Sequence, residues 1–461
     1  MTFISLQFLV FFMVVTLWFF RLKNQKGRIW LLLIASCYFY MSFIPEYILI
    51  LGGTIIVDYF AGIQIEKSEG SNRKFWLVLS IIANIGTLAV FKYYNFFIDN
   101  IHTGFLFFGK PLQLPLLKMA LPIGLSFHTF QALSYTIEVY RRKQPAERNF
   151  VVYALYVMFY PQLVAGPIER PQNVIPQLKE FRPYNWDNVK EGLARMCWGF
   201  FKKVVIADRL AMVVERTFGH TAETSSAALF MGAVFYSFQI YCDFSGYSDI
   251  ALGAAKVMNI RLMENFKEPY LSGSLSEFWT RWHISLSTWF RDYLYIPLGG
   301  NRKGEWRRRM NIMAVFLLSG LWHGANWTFI IWGLLHGLFV LILVRKNNSD
   351  GSAVGKLLGV LFNFIVVTFL WIFFRAENLH AAWVYIKSIC SFRGGSNYIT
   401  LNPVEFIFSI LIVFIMLFRE KYLPRHIISS NSRFWVYLFS MVIICYFFGV
   451  FKENQFIYFQ F

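Results

Sequence analysis

Long apolar runs, separated by short polar segments rich in lysine and arginine, dominate this chain. Their lengths predict membrane-spanning helices. In chain order the runs are Phe3–Phe20, Ile29–Tyr40, Tyr47–Ile63, Phe75–Phe91, Met119–Val139, Val151–Val164, Trp198–Val214, Ala227–Tyr241, Asn311–Val344, Gly359–Phe374, Val404–Phe418 and Phe434–Val450. The pattern predicts an all-α, polytopic membrane protein with roughly eleven or twelve crossings, plus re-entrant and interfacial helices. Val151–Val164 runs into Ala165-Gly-Pro-Ile-Glu-Arg-Pro171, whose prolines and glycine break helical hydrogen bonding. A re-entrant turn is therefore expected over 160–171.

The run at 311–344 is too long for one crossing. About 34 helical residues would extend roughly 51 Å, against a hydrocarbon core of ~30 Å. Basic residues flank it on both sides, Arg307–Arg309 before and Arg345–Lys346 after. One crossing would put these clusters on opposite faces, contrary to the preference of basic loops for the cytoplasm. Two helices meeting at a break over Gly320–Asn326 resolve both problems. The break holds His323 between Gly320 and Gly324 and beside Trp322, so an ionisable group is expected deep in the bundle. A structural histidine donating to a backbone carbonyl would fit the same placement.

The stretch 264–306 carries too much charge to span. Within it, Trp279, Trp282, Leu286, Phe290 and Tyr293 recur at helical spacing, with Arg281, Ser285, Thr288 and Asp292 opposite. That pattern predicts one amphipathic helix at the interface or at the cytoplasmic mouth of the bundle, with His283 on its aromatic side. An anchor without chemistry would show the same pattern.

Composition sharpens the class. The chain is 57% hydrophobic and 15% charged, against about a quarter charged for soluble domains. Its net charge of +18 lies in clusters between apolar runs, as cytoplasmic loops require, and does not point to nucleic acid. Arg21–Arg28, Arg141–Lys143 and Arg302–Arg309 are expected on the cytoplasmic side, with Met1 outside. Phe3–Phe20 lacks a preceding basic segment and a cleavage site, and is expected to be a retained span. The five cysteines are scattered without metal-ligand spacing, so no metal is expected.

Phosphate loops, dinucleotide fingerprints, zinc motifs and nucleophile elbows are all missing. What remains is a set of polar residues in apolar runs: His323, Asn326, His283, His336, His128, and Gln239 and Asp243 within Gln239–Asp249. Buried polar groups need partners, so several of these should converge. A neutral imidazole is a natural base for activating a hydroxyl, and acyl transfer also needs donors toward the developing oxyanion. His323 can serve as the base. Asn326 can hold a carbonyl or the imidazole, or can act as the N-cap of the helix after the break. His336 and His128 read more simply as structural.

Five stretches in order carry a resemblance. They are Leu121–Gln131, Tyr160–Arg170, Tyr241–Asp249, Phe278–Asp292 and Gly320–Ala325. Together they resemble the membrane-bound O-acyltransferase superfamily, in its bacterial alginate O-acetyltransferase branch. The resemblance implies one membrane domain over 1–461, with a motif-bearing core at about 120–345 and peripheral spans at 1–115 and 355–455. It implies a ring of tilted helices around a thinned core, in the bacterial inner membrane. His323 would be the essential histidine and His283 the second one, with Asn326, Trp322, Asp243 and Gln239 in support. His128 stands where relatives often carry an aromatic residue. No bound cofactor is implied. The co-substrate would be an acyl thioester on the cytoplasmic side, acetyl-CoA above all, and the acceptor an exported polysaccharide such as alginate. Partners would be the lipid bilayer and an extracytoplasmic SGNH-hydrolase-like acetyltransferase. A D-alanyl or other cell-wall acyltransferase fed by a carrier-protein thioester fits the same motifs. A proton-coupled transporter or flippase is the alternative of another class, although no internal repeat supports it. The two histidines are expected to serve different steps, His283 nearer the donor entrance and His323 deeper.

Overall fold

In a computed structural model, the structure describes residues 1–110, 114–118, 121–164, 166–343, 352–395, 403–423, 430–451 and 456–457, and its elements are helices. Among the described residues, five helices are long and apolar enough to cross a membrane: Tyr47–Lys67, Gly70–Phe107, Ser226–Val257, Ala353–Arg375 and Asn431–Phe448. Leu6–Arg21 and Trp327–Ile342 are shorter apolar helices. That is fewer than the apolar runs suggest, because other runs are interrupted or carry charge. Trp198–Val214 contains a π-helical turn with two buried lysines, Lys202 and Lys203, and Val151–Val164 breaks at Phe159. Arg345, Lys346, Met119 and Ala165 lie outside the described residues.

Contacts divide the chain into two compact units, 1–193 with 251–263, and 194–250 with 264–461. The first unit contains α1 (Leu6–Arg21), α2 (Gln25–Met41), α3 (Tyr47–Lys67), α4 (Gly70–Leu88), α5 (Tyr94–Phe107), α6 (Leu125–Tyr140), α7 (Phe150–Met158), α8 (Tyr160–Leu163) and α9 (Pro171–Lys179). A π-helical turn, Ala89–Tyr93, joins α4 to α5.

A buried polar node ties α3, α4 and α6 together. Ser80 Oγ donates to Asp58 Oδ1 at 2.6 Å, and Asn84 Nδ2 donates to both carboxylate oxygens at 2.9 and 2.8 Å. A carboxylate so far from water persists only with such donors.

The irregular stretch expected at 160–171 is built as the single-turn α8, a non-helical segment, and α9 with Pro171 at its start. Its described residues are buried by the protein, apart from the half-buried Arg170. Glu169 is fully buried and accepts from the Met263 N–H and from Asn173 Nδ2, while Tyr156 Oη donates to the Glu169 carbonyl.

The second unit contains the end of α10 (Trp186–Phe200 as a whole, from Ala194), the π-helical turn Phe201–Ala207, α11 (Asp208–Gly219) and α12 (Ser226–Val257, up to Ile250). It continues through α13 (Leu275–Arg281), α14 (Ile284–Phe290), α15 (Gly304–His323), α16 (Trp327–Ile342), α17 (Ala353–Arg375), α18 (Leu379–Cys390), α19 (Pro403–Tyr422) and α20 (Asn431–Phe448). The expected break in the long central run is present, since α15 ends at His323 and α16 starts at Trp327.

The two helices pack back on each other through glycines. A Cβ on Gly320 would fall 2.3 Å from the Phe329 carbonyl oxygen, and one on Gly333 would fall 2.3 Å from that of Phe316. Backbone cannot yield as a flexible side chain can, so Gly333→Ala is expected to destabilise the protein by about 1–3 kcal/mol. Gly86 has open space around its Cβ position. Gly86→Ala should therefore be neutral or stabilising by up to ~1 kcal/mol. Thermal unfolding of the two detergent-solubilised variants checks the contrast.

Candidate active site

The stretch expected to form one amphipathic helix around Trp279–Tyr293 is instead three pieces. α13 stops at Arg281, α14 begins at Ile284, and Arg291–Tyr295 is π-helical. His283 sits at the break with φ of +43°, a left-handed backbone uncommon outside glycine. Asn265 holds the break. Its carbonyl accepts from the Ile284 N–H at 2.9 Å, and its side-chain oxygen accepts from Ser285 Oγ at 2.9 Å. Ser285, placed on the polar face by its spacing, is fully buried by this contact. Helical periodicity could not disclose the break, because the residue that makes it lies some twenty positions away. Nor does this segment form a surface anchor, since Trp282, His283 and Leu286 are buried.

The break presents the His283 imidazole to His323. The ring centroids lie 6.4 Å apart. Trp322 lies beside both, 5.9 Å from His283 and 5.0 Å from His323. Two further rings meet His323 edge-on, Trp332 of α16 at 5.1 Å and Phe374 of α17 at 5.3 Å. Phe244 of α12 meets His283 at 4.8 Å. Four elements from separate parts of the chain thus supply a shared aromatic surround. Burial pushes the His283 pKa down to about 3, so this imidazole, in a segment between spans, stays neutral at physiological pH. A neutral imidazole offers one ring nitrogen as an acceptor and the other as a donor to a bound group.

The indole N–H groups of Trp282 and Trp332 are also buried here. Neither has a hydrogen-bond partner among the described residues. Buried indole N–H groups usually find one. Trp332, Phe374 and Phe244 escaped the sequence reading. Aromatic residues in an apolar helix look alike until the tertiary contacts select among them.

The remaining sequence candidates take other places. Asn326 is the N-cap of α16: its side-chain oxygen accepts from the Thr328 N–H at 3.0 Å, and its amide donates to the Glu377 carbonyl at 2.9 Å. His336 accepts from the Trp279 indole at 3.3 Å within an aromatic stack, which is the structural role. His128 is also structural, with Nε2 donating to the Leu163 carbonyl at 3.2 Å.

Asp243 belongs to an ion cluster. Lys203 Nζ lies 2.7 Å from both Asp243 and Asp208. Gln239, one helical turn before Asp243 on α12, is half-buried. Beside this cluster, Lys202 pairs with Asp249 at 2.5 Å, and Arg195 bridges Asp249 and Glu264 at 2.9 and 2.6 Å. The π-helical turn puts the adjacent Lys202 and Lys203 against successive turns of α12, a register that helical spacing does not give.

Comparison with known proteins bears on this arrangement. A family model for the membrane-bound O-acyltransferase family matches residues 72–376, a range holding both histidines and every ring named above. A protein described as a probable alginate O-acetylase in Pseudomonas aeruginosa is 41% identical over 395 residues, covering 85% of this chain and 75% of its own length. A peptidoglycan O-acetyltransferase of Helicobacter pylori is 37% identical, covering 80% and 75%. A teichoic acid D-alanyltransferase of Streptococcus thermophilus is 29% identical, covering 54% and 67%.

Proposed function

We propose, proceeding from the fact that this chain belongs to the membrane-bound O-acyltransferase family, that it moves acetyl groups onto hydroxyls of a polysaccharide exported across the bacterial inner membrane. The observation that carries the reading is the pair of buried imidazoles 6.4 Å apart in a shared aromatic surround. Relatives described as alginate and peptidoglycan O-acetyltransferases favour acetyl as the group and a polysaccharide as the acceptor. Acetyl-CoA on the cytoplasmic side is the donor in this reading. An SGNH-hydrolase-like acetyltransferase outside the membrane would complete the modification.

His323 takes the proton from the attacking hydroxyl as its oxygen bonds to the thioester carbonyl carbon. Negative charge develops on the carbonyl oxygen, where an indole N–H such as that of Trp332 can donate. In a dry surround such a donor is worth far more than in water. The carbon–sulfur bond then breaks, and the departing thiolate takes up the proton held by the imidazole. The spacing of the histidines favours both acting on one reacting group, in place of a separate donor entrance at His283. His283→Ala and His323→Ala should accordingly share a kcat defect that no donor concentration relieves. A defect of His283→Ala confined to donor KM would return it to the entrance role.

The function is tested in proteoliposomes with acetyl-labelled CoA, an oligosaccharide acceptor and an SGNH-hydrolase-like acetyltransferase on the acceptor side. Label is expected in ester linkage on the acceptor, and to be absent with His323→Ala. Label only from an acyl carrier protein would replace the donor. Transport of the acceptor without any acylation would overturn the reading.

A further inference from the structure

In the first unit, α2 and α3 are joined by the short segment 42–46. Toward the other end of that pair, the starts of α2 and α7, the later part of α3 and the end of α9 enclose an open groove of about 790 Å³. Lys26 and Ile29 of α2, Tyr59 of α3, residues 147–152 and Lys179 of α9 line it. A groove of that size accepts a group as large as a small molecule.

Its two parts differ in character, and the first is cationic. Lys179 Nζ pairs with the buried Glu147 at 2.5 Å, and Arg148 pairs with Glu66. Lys26 is exposed and makes no ion pair among the described residues. Three cations therefore meet two carboxylates, which leaves one positive charge in excess. The first turn of α7, capped by Asn149 Oδ1, adds the positive end of a helix dipole. Arg148 keeps donors to spare after meeting Glu66, since a guanidinium carries five N–H groups. A phosphodiester, with its single negative charge, would neutralise this excess.

The second part is apolar. Ile29, Val151 and Val152 form its wall, and the exposed Phe150 ring meets Tyr59 edge-on at 5.2 Å. Trp30 beside Ile29, and Phe60 beside Tyr59, are exposed as well. A small hydrophilic anion would make no use of such a wall, whereas an acyl chain would. The groove also lies at headgroup depth, because Lys26 belongs to the basic cluster 21–28 and Arg148 follows the cluster 141–143. We propose that the groove binds one anionic phospholipid of the phosphatidylglycerol class. Lys26, Arg148 and the first turn of α7 hold its phosphodiester, and the top of an acyl chain lies along Ile29, Phe150 and Val151.

The test uses the full chain in neutral detergent, stripped of native lipid. Its probes are phosphatidylglycerol, phosphatidylcholine with the same chains, and soluble glycerol phosphate. Native mass spectrometry counts the molecules held, and titration gives the affinity of the tightest. One phosphatidylglycerol per chain is expected to stay bound where phosphatidylcholine is lost, and to raise the melting temperature because it binds the folded state. Lys26→Gln should weaken it about fivefold and Lys26→Glu about 25-fold, the scale of one and two charges near a lipid phosphate. The lipid-free melting temperature should not move, since Lys26 is exposed. Val151→Trp fills the apolar part and should weaken the lipid while leaving every charge in place. Phosphatidylglycerol held equally by Lys26→Glu, or phosphatidylcholine held as tightly, would overturn the site. Glycerol phosphate bound as tightly as the lipid would overturn the lipid assignment, as would an acidic protein segment cross-linked at Lys26 in its place. If Val151→Trp does not accumulate, the two Lys26 variants decide the matter.

Discussion

His323→Ala is expected to lower acyl transfer by roughly 100- to 10,000-fold, the contribution of a positioned general base. The imidazole is buried among Trp322, Trp332 and Phe374, so alanine also leaves a space in the aromatic surround. His323→Gln keeps most of that volume without a base of suitable strength. Both variants should lose activity, and His323→Gln should keep a melting temperature close to that of the unaltered protein. Initial rates with labelled acetyl donor, read beside thermal unfolding in detergent, check this. An active His323→Gln would make the histidine structural, as its buried place in the sequence also allowed.

Lys203→Met should be the most damaging single change to stability. Lys203, Asp208 and Asp243 are each almost fully buried, and the ammonium lies 2.7 Å from each carboxylate. Removing the cation takes away the ammonium that faces both buried carboxylates. Breaking a buried pair in this way costs about 3–5 kcal/mol. Lys202 cannot substitute, because it already serves Asp249 and Ser245. The triple change Lys203→Met, Asp208→Asn, Asp243→Asn removes the charges together and should recover much of the loss. Thermal melts of the two forms supply the comparison. Equal melting temperatures would show that the cluster's charge balance does not hold this unit together.

The histidine pair shows where a linear reading stops. His323 was conspicuous because glycines and tryptophans bracket it inside an overlong apolar run, and the break there follows from length alone. His283 was conspicuous only as one member of an aromatic stripe. Helical spacing assigned that stripe to one straight helix, whereas Asn265 divides it and turns the imidazole inward. Asp243 looked like a companion of the histidines, and its carboxylate serves Lys203 and the Ile457 N–H.

Properties that depend on neighbours along the chain were therefore open to inspection: an all-helical membrane protein, the hairpin at 320–326, the N-cap at Asn326 and the motifs of an acyltransferase. Helix formation, capping and apolar length are local, since each hydrogen bond or span closes within a few turns. Which rings surround His323, the paired lysines of the π-helical turn and the return of Phe456 to α12 were decided only by tertiary packing. Many of those contacts join residues forty to more than two hundred positions apart. At such separations side-chain type alone does not select a partner; shape, charge balance and the exclusion of water select it once the helices have met.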